Sequence, residues 1–143
     1  DKQQLTPVAI AQARQWVDSV LLNKHFPVDF SIVPTAIFSH PEAGSIGLSE
    51  SDAKLKYKDI KVKTLTFTPL TLALTEKNKE PIWMKLVMTG NDDRIIGIHS
   101  VGDASAEIIQ SLAVAFQMGM TKAYLDLTMA LHPSVTEELV TIY

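Results

Sequence analysis

The sequence predicts an α+β domain: an antiparallel β-sheet of about four to five strands packed with helices. Three observations predict it. Residues 60–69, 81–89 and 94–102 read as strands, and the last two are joined by "GNDD", a good hairpin turn. Long stretches with helical periodicity lie near the start of the chain and again from Ala104. The order is therefore helix, meandering strands, then helices.

Taken in chain order, Thr6-Pro7 reads as a helix start, a capping hydroxyl with proline at the first helical position. Val8, Ala11, Val17, Val20 and Leu21 then recur at roughly helical spacing, and the helix is expected to end near Asn23-Lys24. "HFPVDFSIVP" carries two prolines and reads as a connector. Thr35 to Ser39 is expected to be a short strand, and "HPEAGSIGLSE" a turn-rich return. Ser49 to Asp52 supplies caps for a short amphipathic helix through Lys56. From Ile60, "IKVKTLTFTP" alternates apolar and polar residues, the mark of a strand with one solvated face. The helix "ASAEIIQSLAVAFQMGM" is apolar around most of its circumference, so it is expected to be deeply packed or to lie at an interface between two copies of the chain. A short helix near Thr121 to Leu127 follows, and a last one is expected to begin at Pro133.

Composition narrows the function classes. At 143 residues, 46% hydrophobic and 20% charged, the chain suits one globular domain with a proper core. A formal charge of −3 with no Lys/Arg cluster offers no nucleic-acid surface. The uncharged run Phe30 to Pro41 is broken by Pro34 and too short to span a bilayer, and the first residues do not read as a secretory signal. With no cysteine, thiolate metal sites and cysteine nucleophiles are excluded, no metal site is expected, and any thiol chemistry must use residues outside this chain. No G-x-G-x-x-G and no P-loop is present, so no nucleotide site is encoded locally.

Among the histidines, His25 and His99 have no acidic neighbour at useful spacing, and His40 precedes Pro41 in a turn. His132 differs. Pro133 disfavours helical geometry at His132, and Glu137 follows about one turn later. A carboxylate there can fold back onto the imidazole, fixing its tautomer and raising its basicity. The plainer reading has Glu137 and Glu138 favouring the positive end of a helix dipole while His132 fills space, and spacing alone favours it. Ile10 and Arg14 share one face of the first helix, an apolar wall beside a guanidinium, which suits a ligand ending in a carboxylate.

Four stretches carry a resemblance. "HPSVTEELVT" is similar to the C-terminal signature of glutathione reductases, members of the class I pyridine nucleotide-disulfide oxidoreductases. "VPTAIFSHPEAGSIGLSE" resembles the start of their interface domain, and "LTPVAIAQAR" the segment after their second FAD-binding motif. "IIGIHSVGDASAEIIQSLAVAFQMGMTKA" resembles the strand and interface helix between them. Dihydrolipoamide dehydrogenases share the His-Pro but not the Glu-Glu-Leu-Val-Thr run, and mercuric reductases lack the histidine.

What the resemblance implies is specific. Residues 1–143 would form a single C-terminal dimerisation domain, with 1–24 a helical segment packing on a separate FAD domain and 31–143 the interface domain proper. The parent would be a cytoplasmic, homodimeric flavoprotein using FAD and NADPH to reduce glutathione disulfide, with neither cofactor bound by this chain alone and no activity of its own. His132 would be the acid–base residue entering the partner subunit's active site, Glu137 its orienting carboxylate, and the His132 carbonyl would face the flavin. Arg14, Ile10, Ser134, Glu138, Thr141 and Leu70 would contact glutathione, Leu70 standing where methionine is usual. Thr6 would make a backbone contact to the flavin of its own subunit. The alternatives are a stand-alone dimerisation module, or the equivalent domain of a dihydrolipoamide dehydrogenase or trypanothione reductase.

Overall fold

A computed structural model of the chain describes residues 3–25, 28–73 and 80–142. It divides into two compact units, Asp1–Val33 and Pro34–Tyr143.

The first unit is built on helix α1, Thr6–Leu21. Its cap is not the expected one. The N-cap residue is Leu5, no side chain caps the helix, and Thr6 is already helical, with Pro7 in the first turn. Proline suits that turn because the amide it lacks would have had no helical partner. The other end follows from Asn23. Its left-handed backbone, φ 49°, turns the chain so that the Lys24 amide reaches back to the Asp18 carbonyl at 2.9 Å. Val8 is buried, and beyond the helix Asp29 accepts from the Ser31 amide and hydroxyl at 2.8 and 2.6 Å.

The second unit is a five-stranded, wholly antiparallel sheet in the order β1-β2-β5-β4-β3. The strands are β1 Thr35–Ile37, β2 Ala43–Gly47, β3 Ile60–Phe67, β4 Ile82–Thr89 and β5 Arg94–Val101. The expected hairpin at Gly90–Asp93 joins β4 to β5, with both end residues in left-handed conformation. One expectation is corrected: "AGSIG", read as part of a turn-rich return, is the strand β2 between β1 and β5. Its small residues are a packing requirement. A methyl group on Gly44 would lie 2.7 Å from the Ser105 carbonyl oxygen and 2.8 Å from Ile109 Cγ1. On the neighbouring strand, one on Gly97 would lie 2.1 Å from the Leu48 carbonyl oxygen.

Helix α2, Glu50–Lys56, is capped as expected by Ser49, whose side chain accepts from the Asp52 amide. Its Ala53 packs in a buried cluster with Val87 and Ile96, flanked by Leu48 and Ile60. Helix α3, Ser105–Gln117, packs on β1, β2 and β5 and buries Ile108, Ile109 and Phe116. Each such side chain stabilises the fold by about 1.5–3 kcal/mol. The same helix leaves Val114 and Met118 well exposed, so its apolar circumference exceeds what one sheet covers. Helix α4, Lys122–Leu127, follows with Thr121 as its cap, and α5, Glu137–Val140, packs against α4. No described helix is long and apolar enough to cross a membrane.

Candidate functional site: the C-terminal His132–Glu137 pair

The last helix begins at Glu137, not at Pro133 as the sequence suggested, and residues 132–136 form a turn ahead of it. The turn is closed by reciprocal bonds. The Ser134 amide donates to Glu137 Oε1 at 3.1 Å, and the Glu137 amide donates to Ser134 Oγ at 3.2 Å. The reciprocal pattern is that of a Ser-x-x-Glu capping box, legible in "SVTE", but it lies in the turn ahead of α5, whose own N-cap residue is Thr136. The Glu137 carbonyl accepts from the Thr141 amide at 3.0 Å and from Thr141 Oγ1 at 3.2 Å. Leu139 and Ile142, both buried, anchor the segment.

From this base the Glu137 carboxylate turns back to His132. Both its oxygens lie 3.1 Å from His132 Nδ1. The burial is unequal: the Glu137 side chain is 12% exposed and that of His132 71%. An anchored carboxylate thus carries an imidazole outward. It favours the tautomer with the proton on Nδ1, and it forms an ion pair once the ring is protonated. Nε2 lies outside this contact and is the nitrogen left for proton exchange.

The other candidate residues fall in three places. Ser134, Glu138 and Thr141 share the terminal segment with the pair, Glu138 half-buried in the first turn of α5. Leu70 is exposed on a single 3-10 turn, Leu70–Leu72. Its neighbours Pro69 and Thr71 line one concavity with Val135 of the terminal turn. That concavity also carries Glu42, Asp103 and the pair His40–Glu80, whose nearest atoms are 3.6 Å apart. Thr6, Ile10 and Arg14 belong to the first unit, where they line a shallow concavity with Ala11, Asp18 and Val28. Ile10 and Arg14 do share a face, and Asp18, one turn beyond Arg14, adds a carboxylate to it.

His99 is placed differently from His132. His99, half-buried on β5, places Nε2 3.0 Å from the Leu48 carbonyl. Burial pushes its pKa below the usual imidazole range, the Leu48 bond opposing and nearby Lys85 reinforcing that shift. Lys85 itself bonds Glu50 at 2.8 Å and sits 5.6 Å from the Trp83 ring centre. Held by Lys54 and Lys85, the Glu50 carboxyl is lowered to about 2. Among the described residues no group of three or more His, Asp or Glu is placed to hold a metal ion.

Fold and terminal pair together define an α+β domain with a His–Glu contact in its C-terminal segment. The chain belongs to the pyridine nucleotide-disulphide oxidoreductase dimerisation-domain family, whose profile matches residues 33–143. Glutathione reductase of Debaryomyces hansenii is 46% identical to it over 151 aligned positions, spanning 99% of this chain and 30% of that protein. Glutathione reductase of Burkholderia cepacia is 41% identical over 138 positions, spanning 96% of this chain and 30% of that protein. That of Yarrowia lipolytica is 44% identical over 146, spanning 99% and 31%. The chain thus spans about three-tenths of the length of these relatives. The crystal structure of LpdA from Mycobacterium tuberculosis matches with a TM-score of 0.77 over 98% of this chain and 30% of that one. At 23% identity that likeness concerns the fold.

Proposed function

We propose that this chain is the dimerisation domain of an NADPH-dependent glutathione-disulfide reductase, a cytoplasmic homodimeric flavoprotein, and that it lends His132 and Glu137 to the partner subunit's active site. The observation that carries the reading is the contact of His132 Nδ1 with both Glu137 oxygens, in a chain similar to glutathione reductases over nearly its whole length. On this reading residues 1–24 pack on the FAD domain and residues 31–143 form the interface domain.

The chemistry follows from the pair. A thiolate of the parent attacks one sulfur of glutathione disulfide, a new S–S bond forms, the old one breaks, and one glutathione leaves as a thiolate. That thiolate needs a proton, and protonated His132 delivers it from Nε2. Glu137 stabilises the imidazolium and keeps the ring aimed, and the neutral ring then takes a proton from the next thiol. A positioned acid–base of this kind contributes roughly 10²–10⁴-fold. The thiols come from outside this chain, which has no cysteine. Arg14 would hold a glutathione carboxylate beside the apolar side chain of Ile10, and Ser134, Glu138, Thr141 and Leu70 of the second unit are separate candidate contacts. A cationic substrate such as trypanothione is poorly matched to Arg14. A bare dimerisation module has no use for an anchored imidazole.

Bound in the parent, FAD would relay electrons from NADPH to the disulfide. The uncapped, exposed first turn of α1 fits a backbone contact from Thr6 to a flavin, and the His132 carbonyl lies on an exposed turn that suits a second. The sequence carries no phosphate-cradling glycine loop, so the rest of both cofactors would be held elsewhere in the parent.

The test uses the longer flavoprotein that carries this domain. His132→Gln should leave reduction by NADPH largely intact and slow reoxidation by glutathione disulfide by about 10²–10⁴-fold in stopped-flow traces. Equal slowing of both half-reactions would overturn the assignment.

A further inference from the structure

We infer that Ser134 is a positioning residue for the His132–Glu137 pair, acting through Glu137; the inference rests on the acid–base reading above. The resemblance gives Ser134 to the substrate, but here its amide and its hydroxyl oxygen are both engaged by Glu137. The amide donates to Oε1 at 3.1 Å, and the hydroxyl oxygen accepts from the Glu137 amide at 3.2 Å. Each carboxylate oxygen has two acceptor sites, so Oε1 receives the Ser134 amide and still faces His132 Nδ1 at 3.1 Å.

The need for such a device is local. Helix α5 has four residues, too few to hold a side chain by helical stiffness. A glutamate there samples several rotamers unless something selects one. The two bonds from Ser134 fix Glu137 at its backbone and at its carboxylate. Thr141 holds the Glu137 carbonyl from the other end. With the carboxylate fixed, the proton of the neutral ring is kept on Nδ1 and the lone pair on Nε2. A hydroxyl oxygen at position 134 is therefore an upstream condition for the correct tautomer of a residue it does not touch.

The test is made on this 143-residue chain, labelled with nitrogen-15, by long-range proton–nitrogen spectra of the His132 ring while the ring is neutral. The unmodified chain should show the Nδ1–H tautomer, and Glu137→Gln should mark the state without the anchoring charge. Ser134→Ala should lower the population of the closed turn by roughly 2- to 30-fold, as a lost N-terminal cap does, and shift His132 towards the Nε2–H tautomer. Ser134→Thr should restore the original spectrum. The pair Ser134→Val and Ser134→Thr, which differ only in the hydroxyl, gives the same readout should the alanine variant fail to fold, and the amides of β4 and β5 report the fold throughout. The readout needs no turnover: a parent without glutathione-disulfide activity would overturn the functional reading and leave this one standing. An unchanged tautomer in Ser134→Ala or Ser134→Val, with Glu137→Gln altered, would overturn the role of Ser134.

Discussion

Leu139→Ala should detach the C-terminal tail while sparing the sheet. Leu139 is 1% exposed and Ile142 5%, and these two side chains are the apolar anchors of the segment that carries His132 and Glu137. Truncating a buried leucine to alanine costs about 2–5 kcal/mol. A four-residue helix has no stability of its own to absorb such a loss. The cost therefore falls on the docking equilibrium of the tail, and the undocked population should rise by about 30- to 5,000-fold until undocking is complete. Amide hydrogen exchange reads this directly. The Leu139 and Thr141 amides, which bond the Thr136 and Glu137 carbonyls at 3.1 and 3.0 Å, should lose protection. Amides in β4 and β5 should keep theirs. Leu139→Met, which conserves volume, should cost less than about 1.5 kcal/mol and leave both sets protected. Equal loss of protection in β4 and in the tail would refute the reasoning, since the tail would then open only with the whole domain. Unchanged protection at Thr141 would refute it as well.

Two further outcomes are expected. The His99 pKa is lowered from 6.5 in the folded chain, so the unfolded chain binds the proton first as pH falls. Stability should be full above about pH 6.5 and decline as pH falls from there towards the lowered folded value; urea titrations of His99→Gln should lose this decline, and a variant with the same slope would count against it. The Glu50 contribution belongs to a separate window, between 4.5 and about 2, and is lost as pH falls through it. If the proposed function holds, Arg14→Ala in the longer flavoprotein should raise the Michaelis constant for glutathione disulfide by an amount corresponding to roughly 1.5–3 kcal/mol and relax discrimination against a cationic disulfide. Unchanged kinetics with both substrates would remove Arg14 from the substrate site.

Much of the fold was legible because long, half-solvated strands write their geometry into the chain. Alternation in "IKVKTLTF" marks β3, and the hairpin turn between β4 and β5 needs left-handed residues that Gly90 and Asp93 supply. Ser49 could be read as a cap because a hydroxyl before a helix has one evident use. The strand β2 was not legible. Its residues are small because α3 lies against Gly44, and small residues carry no alternating hydrophobic signal. The start at Thr6-Pro7 was legible though its cap was not, and the last helix opens at Glu137 where the sequence suggested Pro133. A hydroxyl or a proline favours a first turn, but which residue opens the helix depends on the bonds its neighbours make.

By itself the sequence determined the class of domain, the absence of thiol chemistry within it, and the spacing that lets a glutamate reach a histidine. It left open whether that spacing was an accident, because residues five apart on a turn meet or miss according to how the turn is closed. The tertiary structure decided this. The Ser134–Glu137 bonds close the turn, and Leu139 and Ile142 bury its base. The carboxylate is thereby shielded at 12% exposure while the imidazole stands out at 71%. Burial is a property of what packs around a residue, and α4 packs against α5 from too far along the chain for any local pattern to announce it.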